Sequence, residues 1–155
     1  MPVASPKAAL FALPPHTERN ASPGQILGLK VKTLPSLIRL INKGLPWSTV
    51  LAFARISGFS QQQVAEFLDL PARTFARRRH SGTLDRTESE RLVRLAEIFD
   101  AALGLFDGDA GSARQWLISP VRGLDNAAPI HFARTELGAR EVRNLIGRMS
   151  DGVFS

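Results

Sequence analysis

Along most of this chain apolar residues return every three or four positions, and almost nowhere do they alternate. That spacing belongs to amphipathic helices rather than strands. Leu34, Leu37, Ile38 and Ile41 predict a helix that Gly44 closes. Pro46 suits the opening turn of the next, which carries Val50, Leu51, Ala54 and Ile56 before Gly58 stops it. Ser60 is a good N-cap for a short helix with Val64, Phe67 and Leu68 on one face. The tight connection Asp69-Leu70-Pro71 leads into a predicted helix over 72–79, and Gly82 ends this block. Thr87-x-x-Glu90 has the form of a capping box. It opens the longest pattern, through Leu92, Leu95, Ala96, Phe99, Leu103 and Phe106. Asp107-Gly108-Asp109 is a turn, and Ala113, Trp116 and Leu117 form a short helix ended before Pro120. A helical turn follows over 130–135. A last helix covers 139–149, with Val142, Leu145 and Ile146 inward. The expected fold class is all-α.

The two ends break this pattern. Residues 1–33 hold Pro2, Pro6, Pro14, Pro15 and Pro23, half of the ten prolines, and sustain no apolar period. They read as a mobile or loosely docked arm. Gly152-Val153-Phe154-Ser155 is a short apolar tail. The expected organisation is an arm over 1–33, a helix-turn-helix region over 34–83 and a helical domain over 84–155. A chain of 155 residues suits one compact unit or two small ones sharing a core.

Composition narrows the classes. Hydrophobic residues make up 44% and charged residues 22%, which excludes wholesale disorder. The absence of Cys excludes disulfides and thiolate metal ligands. No signal-peptide pattern is visible, and no apolar run approaches the roughly 20 residues that span a bilayer. The expectation is a cytoplasmic protein without a membrane partner. A net charge of +6 favours polyanions, chiefly nucleic acid.

The sharpest local motif runs over 61–79, as QQQVAEFLDLPARTFARRR. Ala65 is small enough to let two helices cross closely. Val64, Phe67, Leu68, Leu70 and Phe75 form the apolar wedge between them. Asp69 stands where many such motifs place Gly, and Asp enters the left-handed region more readily than most residues. Pro71 presets the start of the second helix. That helix carries Arg73, Thr74, Arg77, Arg78 and Arg79. Arg73 and Thr74 are the candidates for reading base edges in the major groove. Arg77, Arg78 and Arg79 are the candidates for gripping phosphate. The same arginines also suit a solvated helix end, where they complement the dipole. One such motif reads few base pairs, so a homodimer on promoter DNA is expected, with half-sites about 34 Å apart. Residues 34–56 are the candidate contact between copies.

From here to its end the chain resembles the Xre/MbcA/ParS family of antitoxins. Leu70-Pro71-x-Arg73-Thr74-Phe75-Ala76-Arg77-Arg78 is similar to the family's L-x-x-R-T-L-A-R-R. Residues 90–96, Glu-Arg-Leu-Val-Arg-Leu-Ala, resemble its long helix. Ala113-x-x-Trp116-Leu117-x-x-Pro120 resembles A-x-x-W-L-x-x-P, and Thr135 to Phe154 resembles the toxin-binding C-terminal region. The departure is Val121-Arg122-Gly123-Leu124-Asp125-Asn126, where the family usually has N-x-A-L-G-G. The resemblance implies a helix-turn-helix region followed by a helical toxin-binding domain. It also implies two partners: promoter DNA and a co-encoded RES-domain toxin that consumes NAD or transfers ADP-ribose from it. The toxin-binding candidates are then Val142, Leu145 and Arg148 at an outer rim, with Gly152, Val153, Phe154 and Ser155 entering the toxin's active site. Phe154 offers a ring and Ser155 a carboxylate.

Other chemistry is weakly supported. His16, His80 and His131 lack metal-ligand spacing, and Asp107 and Asp109 lack the later ligands of a calcium loop. No phosphate loop, nucleophile elbow or paired-carboxylate helix occurs. Neither cofactor nor metal is expected, and an enzyme is the least favoured class. Trp47 and Trp116 read as core residues. A helix-turn-helix repressor without a toxin partner is the rival reading. It explains 61–79 but leaves the C-terminal half without a role.

Overall fold

A computed structural model describes residues 23–152, and among them the chain forms nine α-helices and no strand. The helices are α1 (Pro23–Ile26), α2 (Leu34–Lys43), α3 (Ser48–Ser57), α4 (Gln61–Phe67), α5 (Ala72–Ser81), α6 (Arg86–Leu105), α7 (Ala110–Ile118), α8 (Pro129–Phe132) and α9 (Glu136–Ser150). The expected stops hold. Gly58 and Gly82 end α3 and α5 in the left-handed conformation. Asp69 does what its place in the turn required, with φ of 60°. The Leu70 amide then reaches back to the Ala65 carbonyl at 2.9 Å and closes α4.

The 20-residue α6, about 30 Å long, is the central post. It packs against α1, α2 and α3 on one side and against α7 and α9 on the other. Leu92, Ala96, Ile98, Phe99 and Ala102 along it are fully buried. One continuous core therefore runs from Ile26 to Ile146. Aromatic rings cross between the two halves. Phe99 meets Phe53 edge-on at 5.7 Å, Phe53 stacks with Phe59, and Phe59 meets Phe67 edge-on at 5.0 Å. Two arginines reinforce this seam. Arg91 of α6 donates to the Leu68 carbonyl, and Arg114 of α7 donates to the Ser57 carbonyl, so each caps a helix of the N-terminal half.

Three local expectations change. The first concerns the arm over 1–33. Residues 1–22 lie outside the described residues, but Ile26 and Leu27 are buried against α6 and α3, so α1 and the residue after it are docked on the core. The second concerns the capping box of α6, which is Asp85-x-x-Glu88 rather than Thr87-x-x-Glu90. Asp85 accepts the Glu88 amide at 2.7 Å, and Glu88 accepts the Asp85 amide at 2.9 Å.

The third is the loop that departs from the family pattern. Asp125 and Asn126 both have positive φ, 57° and 61°. The Ala127 amide donates to the Leu124 carbonyl at 3.0 Å across them, the geometry of a type I′ turn. The two positions where the family has Gly-Gly are thus the two that need left-handed backbone. Asp and Asn are the side chains that enter that region at least cost. The departure in sequence preserves a turn of the kind that Gly-Gly favours.

Candidate functional site

In α5 no residue is fully buried, a condition shared by no other helix of its length in the fold. What holds it is a set of contacts around its C-terminal half. Phe75 sits edge-on to the buried Trp47, ring centroids 5.2 Å apart. The Trp47 amide donates to the Gly82 carbonyl at 2.7 Å, and Pro46 pairs with Thr83 in an isolated bridge.

The strongest tie is Arg78. Its Nε donates to Glu88 Oε1 at 2.7 Å and one terminal nitrogen to Asp85 Oδ2 at 3.1 Å. The Glu88 side chain is 6% exposed, and the oxygen that takes the Arg78 proton also takes the Asp85 amide. The hydrogen bond that Arg78 donates to Glu88, with the charges of Glu88 and Asp85, holds the guanidinium pKa above its ordinary value despite partial desolvation.

The five arginine-cluster candidates therefore separate. Arg73, Arg77 and Arg79 are exposed and, among the described residues, pair with no carboxylate. Thr74 is half-buried. Arg73, Arg77 and His80 share the outward face at i, i+4 and i+7. Arg78 stands three residues after Phe75 on the inward side. It was expected at phosphate, yet it is engaged within the fold.

The last helix, α9, is fastened in another way. Gly138, Ala139, Val142, Leu145 and Ile146 are buried along one face. Gly138 is obligatory, because a Cβ there would collide with the Phe132 carbonyl oxygen. Ion pairs rim the contact with α6. Glu136 accepts from Arg94 and Arg143, and Arg143 also reaches Glu97. Val142 and Leu145, expected at the outer rim of a partner contact, are 0% and 3% exposed and belong to the core. Their spacing with Ile146 is the reason: residues at i, i+3 and i+4 share the face that α9 turns toward α6.

Arg148 is half-exposed and pairs with Glu141 at 3.3 Å. The outward face of α9 presents Leu137, 75% exposed, with Arg140, Asn144 and Gly147. Sequence reasoning passed over Leu137. Its signal was an apolar residue out of phase with Val142 and Leu145. Gly152, just after α9, is exposed and left-handed, with φ of 77°. Val153, Phe154 and Ser155 lie outside the described residues.

An outward cationic second helix and a separate C-terminal helical face stand on one core. Residues 36–97 match the family described as Antitoxin Xre-like helix-turn-helix domain, and residues 101–152 match the Antitoxin Xre/MbcA/ParS C-terminal toxin-binding domain. The chain belongs to the Xre antitoxin family. A protein named Antitoxin Xre from Yersinia enterocolitica is 35% identical over 83% of this chain and 88% of its own length. Another of that name, from Photorhabdus laumondii, is 32% identical over 92% of this chain and 97% of its own. As an Xre-family antitoxin the protein has a helix-turn-helix region of the DNA-binding kind and a toxin-binding region, and so two classes of partner. Among the described residues no helix is long and apolar enough to cross a membrane, and no cluster of His, Asp or Glu is arranged to hold a metal.

Proposed function

We propose that this antitoxin neutralises a co-encoded RES-domain toxin, one that consumes NAD or transfers ADP-ribose from it, and represses its own operon as a cytoplasmic homodimer. The observation that carries the reading is the pairing, on one core, of the exposed face of α5 with a matched toxin-binding region that ends in a left-handed glycine. Its role is to bind and block, not to catalyse.

On the DNA side, Arg73 and Thr74 read base edges, while Arg77 and Arg79 grip phosphate. Arg78 acts by holding α5 in place. The homodimer contact uses Leu34, Ile38, Leu51 and Ile56, which leave apolar side chains in water on α2 and α3. On the toxin side, residues 152–155 enter the active site. Gly152 supplies the bend, and Val153 and Phe154 an apolar anchor where a nicotinamide or adenine ring would lie. Arg148 guards the rim, and Val142 and Leu145 support it from beneath.

Removing 152–155 tests this reading. Cells expressing the toxin with the truncated protein should fail to grow, while the truncated protein should bind its promoter as the full chain does. Full growth rescue by the truncated protein would overturn the blocking mechanism. A DNA defect in the same variant would show that the tail serves the fold instead.

A further inference from the structure

From Arg19 through Ala65 the sequence contains no Asp and no Glu. The same stretch carries Arg19, Lys30, Lys32, Arg39, Lys43 and Arg55, six cations, as many as the net charge of the whole chain. The basic excess is therefore not confined to α5. Four of these cations line one open groove along α2, with Thr33 and Ser36 between them. Lys30, Lys32, Arg39 and Lys43 are all exposed, and none pairs with a carboxylate among the described residues.

The groove has a fixed polar floor. Ser36 Oγ accepts from Thr33 Oγ1 at 2.8 Å and from Arg39 at 3.1 Å, which holds the guanidinium along the groove. The cationic side is also distinct from the apolar one. Ser36, Arg39 and Lys43 follow i, i+3, i+7 spacing, whereas the exposed Leu34 and Ile38 lie on the other flank of α2. A contact between copies on Leu34 and Ile38 would leave the groove open.

Position decides what the groove fits. The C-terminal end of α2 abuts the loop that ends α5, since Gly44 is packed against the Leu84 carbonyl and Thr83. Lys43, at that end of α2, thus lies beside the loop that follows α5, and Arg39, Lys32 and Lys30 carry the groove on from there. The 10-residue α2 is about 15 Å long, which matches four to five base-pair steps of about 3.4 Å along a duplex.

We infer that this groove is a second DNA surface, which takes the phosphate backbone of the duplex flanking the segment read by α5. The inference rests on the DNA-binding role proposed for α5. It adds a sequence-independent clamp that lengthens the footprint and supplies much of the salt dependence of binding. Each lysine or arginine that meets a phosphate releases counterions, and each adds about 0.9 to the slope of log affinity against log salt.

The test compares the full-length protein with the quadruple variant K30Q/K32Q/R39Q/K43Q. The probes are duplexes from the promoter upstream of its own gene and duplexes of random sequence. Each is used at a short length that covers the segment read by α5, and with about 10 further base pairs at both ends. On the longer duplexes of either sequence the variant should lose roughly three to four units of salt slope, with the preference for promoter over random sequence retained. On the short duplexes it should bind as the unaltered protein does, and its thermal melting should not change. The charge-keeping variant K30R/K32R/K43R should keep the full slope.

An unchanged slope on the long duplexes, or an equal loss on the short ones, would overturn the clamp. So would a variant that binds DNA normally but no longer binds toxin, since the groove would then be a protein surface. The variant R73A/R77A separates the two readings. If it keeps full promoter preference while the quadruple variant loses slope, the groove still binds the phosphate backbone and only the role of α5 falls.

Discussion

Helices α5 and α9 look alike as sequence: each bears several arginines and lies in a region matched to a binding role. The fold treats them in opposite ways. In α9, five buried residues lock one face to α6. In α5 none is buried, and the helix is held by one aromatic contact and by Arg78 on Glu88. With few apolar attachments of its own, α5 depends on a charged tie for its position. A helix anchored by one apolar face has the opposite side left for a partner, and in α9 that side carries Leu137 with Arg140, Asn144 and Gly147. Apolar residues at helical spacing therefore mark the attachment of α9 rather than its docking surface.

The sharpest way to break this comparison is at Leu145. Its replacement by Ala should cost about 2–4 kcal/mol of stability by leaving a cavity beneath α9. Urea denaturation would read the loss, and toxin affinity of the folded fraction should hardly move. A large affinity defect without destabilisation would return Leu145 to the contact surface.

Next in size is Arg78 against its neighbour. Arg78→Ala leaves Glu88 buried without its cation and should cost about 2–3 kcal/mol, with the salt slope of DNA binding unchanged. Arg77→Ala should do the reverse: stability within about 0.5 kcal/mol, and a slope lower by roughly one unit. Equal slopes for both variants would mean that the two arginines are equivalent after all.

A smaller effect is expected at Asp100, in the C-terminal half of α6. Burial without a compensating cation raises its pKa to about 6. The folded state thus binds the proton more tightly than the unfolded chain. Stability from the neutral form is complete below about pH 4, falls as pH rises through 6, and stays lost above. Asp100→Asn should stabilise at pH 7 by no more than about 1 kcal/mol, given the half-exposure of the group. The gain should vanish near pH 4, and a gain constant between pH 4 and 8 would contradict the burial account.

The smallest effect concerns the type I′ turn. Asp125→Gly and Asn126→Gly should each stabilise by a few tenths of a kcal/mol, since glycine adopts positive φ without a Cβ penalty. Destabilisation in a urea titration would show that the Asp or Asn side chain makes its own contribution.

Much of this was legible in the chain because helix ends are local events. Gly44, Gly58, Gly82, Ser60 and the left-handed Asp69 each act within one turn of their own position. The long-range choices were not legible. Asp85-x-x-Glu88 and Thr87-x-x-Glu90 fit the same capping pattern, and only the meeting of Glu88 with Arg78 of another helix favours the first. Leu45 and Phe59 are buried but sit in connections too short to show a period. At the site, arginine was the right type for α5, but which arginine turns inward depends on the wall it faces. Phe75, three residues before Arg78, was the available hint.

The two matched regions end and begin at residues 97 and 101, both inside α6. Recombining this protein with a relative at that boundary would splice two halves of one helix, with Leu92 fitted to one parent's core and Phe99 to the other's. The tolerant unit of exchange is smaller. Replacing only 72–81, while keeping Phe75 and Arg78, swaps outward-facing positions and leaves every fully buried side chain in place. If α5 reads DNA as proposed, retargeting it is thus a problem of about eight side chains on a fixed scaffold, not of transplanting a domain.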